Sequence, residues 1–93
     1  MLKVNEYFDG KVKSIAFTNK DGNATVGVME QGEYEFNTSS IEYMTIVSGT
    51  LSVLLPGADN WKLYGKNETF TVPANKSFKV EAAEQTVYIC FYI

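Results

Sequence analysis

Residues Gly32 to Gly49 read GEYEFNTSSIEYMTIVSG, and residues Asn67 to Val80 read NETFTVPANKSFKV. Both stretches join short β-type runs through turn residues. Gly32 to Asn37 and Met44 to Ser48 read as strands, with Ser48-Gly49 leading into a further run from Thr50 to Leu55. In the second stretch, Thr69 to Val72 and Ser77 to Ala82 flank Pro73 and the turn Ala74-Asn75-Lys76. Glycine and asparagine stand where the chain must visit positive φ, and proline presets a turn.

The same grammar extends to both sides. Strands are expected at Val12 to Phe17, Ala24 to Met29, Lys62 to Tyr64 and Thr86 to Tyr92, separated by Asn19-Lys20-Asp21-Gly22-Asn23, Gln31-Gly32 and Pro56-Gly57-Ala58-Asp59-Asn60. No window sustains a 3.6-residue period over ten positions, so helix is not expected. So many closely spaced strands favour an antiparallel sandwich or barrel that hides its edges by closure. At 93 residues the chain supports one hydrophobic core, and one domain over 1–93 is expected.

Composition narrows the chemistry. Apolar residues make up 45% and charged residues 20%, which places the chain among folded proteins rather than disordered ones. All eight basic residues are lysines, scattered singly in a chain of net charge −3, so no cationic stripe is present for a nucleic-acid backbone. The apolar runs Leu51 to Pro56 and Val87 to Ile93 are far shorter than the ~20 residues of a membrane span, and the N-terminus shows no signal pattern. A soluble, cytoplasmic protein is the expectation. The absence of histidine removes the Ser-His and Cys-His nucleophile systems and the imidazole ligands of metal sites. The single cysteine, Cys90, lies in a strand-like run and is expected as a buried, inert thiol.

The two opening stretches resemble the paired motifs of the cupins, whose fold is a small all-β barrel or jelly roll. Glu42, followed after six intervening residues by Gly49, fits the end of the first motif, and Pro73 fits the second. Asn75 and Asn67 occupy glycine positions. Counting back from Glu42, the two histidine positions of the first motif fall on Phe36 and Thr38, and the histidine of the second falls on Phe78. Of the four ligands of the metal-binding pattern only Glu42 remains, and one carboxylate does not hold a transition metal. A metal-free cupin is therefore expected.

Across nearly the whole chain the sequence also resembles the single-domain bacterial pyrimidine/purine nucleoside phosphorylases. The resemblance runs through Asn5-Glu6-Tyr7-Phe8, Gly10 to Ile15, Val26 to Met29, Gly32-Glu33-Tyr34, Met44-Thr45, Leu54 to Pro56, Trp61, Phe70, Val72-Pro73, Tyr88, Cys90 and Tyr92. It implies phosphorolysis: inorganic phosphate displaces the base from purine and pyrimidine nucleosides, giving free base and pentose 1-phosphate, with no cofactor. It also implies a homodimer, for which the apolar N-terminal segment Val4-Tyr7-Phe8 offers a docking element. The alternative is a non-catalytic, metal-free cupin that binds a small metabolite.

Phosphorolysis requires a hold on phosphate, stabilisation of a cationic sugar and help for the departing base. Glu42 is the candidate catalytic group, either serving the departing base or pairing with a ribose hydroxyl; a purely structural carboxylate is the competing assignment. Without arginine or histidine, phosphate must meet lysine, hydroxyls or backbone N–H groups, and Lys13 with Ser14, close to Lys11, is the best local cluster. A solvated edge strand is the alternative. Alternation on the last strand puts Tyr88, Cys90 and Tyr92 on one face, so Tyr88 and Tyr92 are expected to line the pocket. Phe36, Thr38 and Phe78, in the vacated ligand positions, complete the expected substrate site, although the phenylalanines could simply fill the metal's space.

Overall fold

Ten strands and no helix make up the computed structural model, which describes residues 1–93 throughout. In chain order they are β1 (Lys3–Tyr7), β2 (Val12–Asn19), β3 (Gly22–Met29), β4 (Gly32–Asn37), β5 (Glu42–Ser48), β6 (Leu51–Leu54), β7 (Lys62–Tyr64), β8 (Thr69–Val72), β9 (Ser77–Ala82) and β10 (Thr86–Tyr92). β2 to β10 fall where the alternation and turn residues place them. β1 is an addition. The N-terminal segment pairs antiparallel with β2 along its length, from Lys3 opposite Ala16 to Tyr7 opposite Val12.

All pairings are antiparallel. One sheet has the order β1-β2-β3-β10-β5-β8 and the other β4-β9-β6-β7. Their inward faces share one core, which includes Val12, Met29, Ile46, Leu51, Val53 and Val80, all essentially without solvent contact. Strand alternation produces this directly: β9 runs exposed, buried, exposed, buried from Ser77 to Ala82.

The motif residues sit as their backbone demands. Gly49 has φ 89°, and both asparagines at glycine positions are left-handed, Asn67 at 69° and Asn75 at 61°. Asparagine tolerates that region better than other non-glycine residues. The turn carrying Asn75 is tied to the end of β4 by Thr38. Its hydroxyl donates to the carbonyl of Pro73 at 2.7 Å and accepts the Lys76 N–H at 3.0 Å. Its carbonyl accepts the Asn75 N–H at 3.0 Å.

Candidate active site

A cavity of about 430 Å3 opens between the two sheets, within the ~300–1,000 Å3 range of small-molecule sites. The six-stranded sheet supplies a polar wall of Ser14 from β2, Glu42 from β5, and Tyr88 and Tyr92 from β10. The four-stranded sheet supplies Phe36 from β4 and Phe78 from β9. These two phenylalanines are cross-strand partners, with ring centroids 5.8 Å apart. Side chains that replace the histidines of a metal-binding cupin thus form an aromatic surface. Phe78 is almost fully buried and also belongs to the core, whereas Phe36 is only partly covered. Filling and lining are therefore both realised.

Glu42 pairs in register with Tyr92, and Cys90 lies one step along the same face of β10. The Cys90 thiol donates to Glu42 Oε1 at 3.5 Å. Burial pushes the Glu42 carboxyl above its ordinary range, and the thiol hydrogen bond opposes that shift. Burial likewise pushes the Cys90 thiol up, reinforced by the Glu42 charge, so Cys90 is buried and protonated, as an inert thiol should be. Tyr92 is also raised, mainly by burial, while its hydroxyl is bonded to that of Thr25 at 2.9 Å. Burial, with Cys90 and Tyr7 adding to it, pushes the Tyr88 phenol up to about 12. The phenols are neutral at physiological pH, and Glu42 is the cavity carboxyl whose proton affinity burial raises.

Tyr88 owes its place to a glycine. Ser14, Gly27 and Tyr88 stand in one row across β2, β3 and β10. A Cβ on Gly27 would lie 2.6 Å from the Tyr88 phenol oxygen, so the ring lies flat over bare backbone. The resemblance marked Gly27 as part of a matching segment; its contact with Tyr88 is a cross-strand relationship invisible in linear spacing.

Two expected site residues are not brought to this cavity. Thr38 is buried in the turn contacts described above, and its hydroxyl is spent on backbone. Lys13 is adjacent to Ser14 in the chain but faces the other side of β2. Its ammonium lies 3.4 Å from Glu6 Oε1, with both side chains 60% exposed. No lysine lines the cavity, whose carboxylates are Glu35 and Glu42. Conversely, the structure adds Tyr7 and Phe8, with the polar Asn37 and Ser39, to the lining. Tyr7 was legible only through the pairing of β1, which its charged sequence does not advertise.

No group of three or more His, Cys, Asp or Glu side chains is clustered so as to hold a metal ion.

Comparison with known proteins converges on one description. A family model described as pyrimidine/purine nucleoside phosphorylase matches residues 2–92. A protein of that name from Pseudomonas aeruginosa is 56% identical over 92 residues, covering 99% of each chain. Another from Yersinia enterocolitica is 52% identical over 94 residues, covering 100% of this chain and 99% of its own. Among solved structures, a Vibrio parahaemolyticus protein of unknown function superposes with a TM-score of 0.94 at 42% identity, covering 100% of this chain and 99% of that one. An RmlC-like cupin from Shewanella frigidimarina gives a TM-score of 0.75 at 17% identity over 96% of this chain and 80% of its own, which establishes the cupin fold.

Proposed function

The chain belongs to the pyrimidine/purine nucleoside phosphorylase family, and from that membership and the cavity we propose that it cleaves purine and pyrimidine nucleosides with inorganic phosphate. The products are the free base and pentose 1-phosphate, so the enzyme is a pentosyltransferase. No metal or organic cofactor is needed. The observation that carries the reading is Glu42: a half-buried carboxyl with a raised proton affinity, set between a hydroxyl-bearing wall and an aromatic one.

The bond from the anomeric carbon to the base nitrogen breaks, its electron pair goes to the base, and a phosphate oxygen bonds to the anomeric carbon. Protonated Glu42 donates its proton to the departing base, and the proton released by monohydrogen phosphate on bond formation restores it. The raised proton affinity supports this acid role, because burial lets the group hold its proton to higher pH than an ordinary carboxyl. The carboxylate formed meanwhile favours the cationic sugar.

The polar wall is assigned to sugar and phosphate. Ser14, Ser39 and Asn37 can donate to phosphate, and with no lysine in the cavity the anion is held by neutral donors. Protonation of Glu42 then matters twice, since its carboxylate would repel phosphate. Aromatic walls accept a purine or a pyrimidine by stacking without reading its edge, which supports broad specificity.

A homodimer fits the outer face of the six-stranded sheet. Val4, Ile15, Val26 and Val28 line an apolar groove there, each 37% to 57% exposed, and a second copy would cover them. Sedimentation equilibrium of the protein and of Val28→Glu checks this, with a shift toward monomer expected for the variant.

The decisive experiment is chromatography of adenosine and uridine incubated with the protein, with and without phosphate. Free base and pentose 1-phosphate formed only with phosphate are expected. Hydrolysis at equal rates without phosphate, or no cleavage, would reject the reading.

A further inference from the structure

The turn between β1 and β2 is built against the preference of its own residues. Phe8 and Asp9 have φ 53° and 56°, followed by Gly10 at 82°, and the Gly10 N–H donates to the Tyr7 carbonyl at 3.1 Å. Tight turns with consecutive left-handed residues ordinarily carry asparagine and glycine there. A phenylalanine is strained in that region because its Cβ crowds the backbone, and such residues persist where surrounding contacts hold them.

Those contacts are aromatic. Phe8 packs on Tyr34 at 5.0 Å between centroids and on Phe36 at 5.5 Å, edge to face. Tyr7 meets Phe36 edge-on at 6.4 Å. A hairpin that belongs to the six-stranded sheet thereby reaches across the cavity to the four-stranded one. Yet both rings stay well exposed, Tyr7 at 45% and Phe8 at 42%, and both contribute to the cavity wall. Rings recruited only to seal the core would be buried further.

We propose that Tyr7 and Phe8 are base-stacking residues, which form with Phe36 the surface that receives the nucleobase and determine the acceptance of both base classes. The proposal rests on the reading of the Glu42 cavity as the place of reaction. A nucleoside has one flat apolar end and one hydroxylated end, and the cavity is divided in the same way. With its base on Tyr7, Phe8 and Phe36, its sugar turns toward Glu42, Ser14 and Tyr88. Stacking needs a π-face and no particular donor pattern, so either base class fits.

The test uses Phe8→Gly and Phe8→Asn, which suit the left-handed turn but lack the ring, beside Tyr7→Ala and Glu42→Gln. For Phe8→Gly and Phe8→Asn, KM for adenosine and for uridine should each rise roughly tenfold or more, with KM for phosphate within about twofold and no loss of melting temperature. Phe8→Trp in a Trp61→Phe background should bind both nucleosides with quenching of its fluorescence. Unchanged nucleoside KM in the Phe8 variants, or a lowered melting temperature with no KM change, would make the turn a structural clasp and overturn the proposal. Loss of turnover in Glu42→Gln alongside normal Phe8 variants sinks the stacking role alone. Full turnover in Glu42→Gln sinks the cavity reading, and absence of quenching then removes the stacking role too.

Discussion

The Tyr88 ring lies on Gly27, its cross-strand partner, with so little clearance that an added methyl would sit 2.6 Å from both Cζ and the phenol oxygen. A glycine in mid-strand weakens the strand by itself, so its presence here is accounted for by the ring it admits. Gly27→Ala should push Tyr88 out of its position over Ser14. Overpacking of this kind costs about 1–3 kcal/mol, read as a lowered melting temperature together with reduced nucleoside turnover. Adding Tyr88→Ala should lower the melting temperature by less than the sum of the two single losses, without recovering turnover. Additive losses in the double variant would show that the two residues do not interact.

Glu42→Gln keeps the shape of the side chain and removes its proton chemistry. Turnover should fall by about 10²-fold or more in a folded variant. The pH dependence of stability gives a second readout. The folded state holds the Glu42 proton more tightly than the unfolded chain does, so this contribution is complete below the ordinary carboxylate range and is lost as pH rises through the raised folded value. Urea titrations across that window should show the decline in the natural protein and a flatter profile in Glu42→Gln. Activity should fall over the same window.

Phosphate binding separates two neighbours in the chain. Ser14 is buried against the cavity and Lys13 stands outside it beside Glu6. Ser14→Ala should raise KM for phosphate about tenfold, the worth of one hydrogen bond to a charged group, while Lys13→Met should leave it unchanged. The opposite result would bring the lysine, and with it another face or another subunit, into the phosphate site.

Cys90 should be unreactive in the native protein. Its thiol is buried and burial pushes its pKa up, so iodoacetamide at pH 8 should label it only after denaturation. Rapid labelling of the folded protein would show that the Glu42 end of the cavity opens.

Exhaustive dialysis against a chelator should leave both melting temperature and turnover unchanged. Phe36 and Phe78 offer no lone pair, and the Thr38 hydroxyl is committed to backbone. Stoichiometric metal whose removal abolishes turnover would overturn this expectation.

Most of the strand plan was legible in the chain because side-chain alternation and turn residues are local properties. Gly32–Asn37, Lys62–Tyr64, Thr69–Val72, Ser77–Ala82 and Thr86–Tyr92 form with the bounds that the residues suggest. β1 was not legible. Its residues Lys3 to Tyr7 are mostly polar, and the turn that folds it back places Phe8 in a conformation that sequence rules reserve for glycine or asparagine. Motif spacing located Glu42, Phe36 and Phe78, which the fold does bring together, but it also located Thr38, which the fold turns to another use.

The sequence by itself determined the antiparallel strand plan, and its motif resemblance the cupin fold, because these depend on residue identity, alternation and spacing along one strand or turn. Tertiary structure alone decided that Lys13 and the cavity are on opposite sides of a sheet, that Thr38 is consumed by the Pro73–Lys76 turn, that Gly27 makes room for Tyr88, and that Tyr7 and Phe8 close over Phe36. Each of these is a contact between strands or turns far apart in the chain, fixed by register and sheet packing, and no local property of the residues involved encodes it.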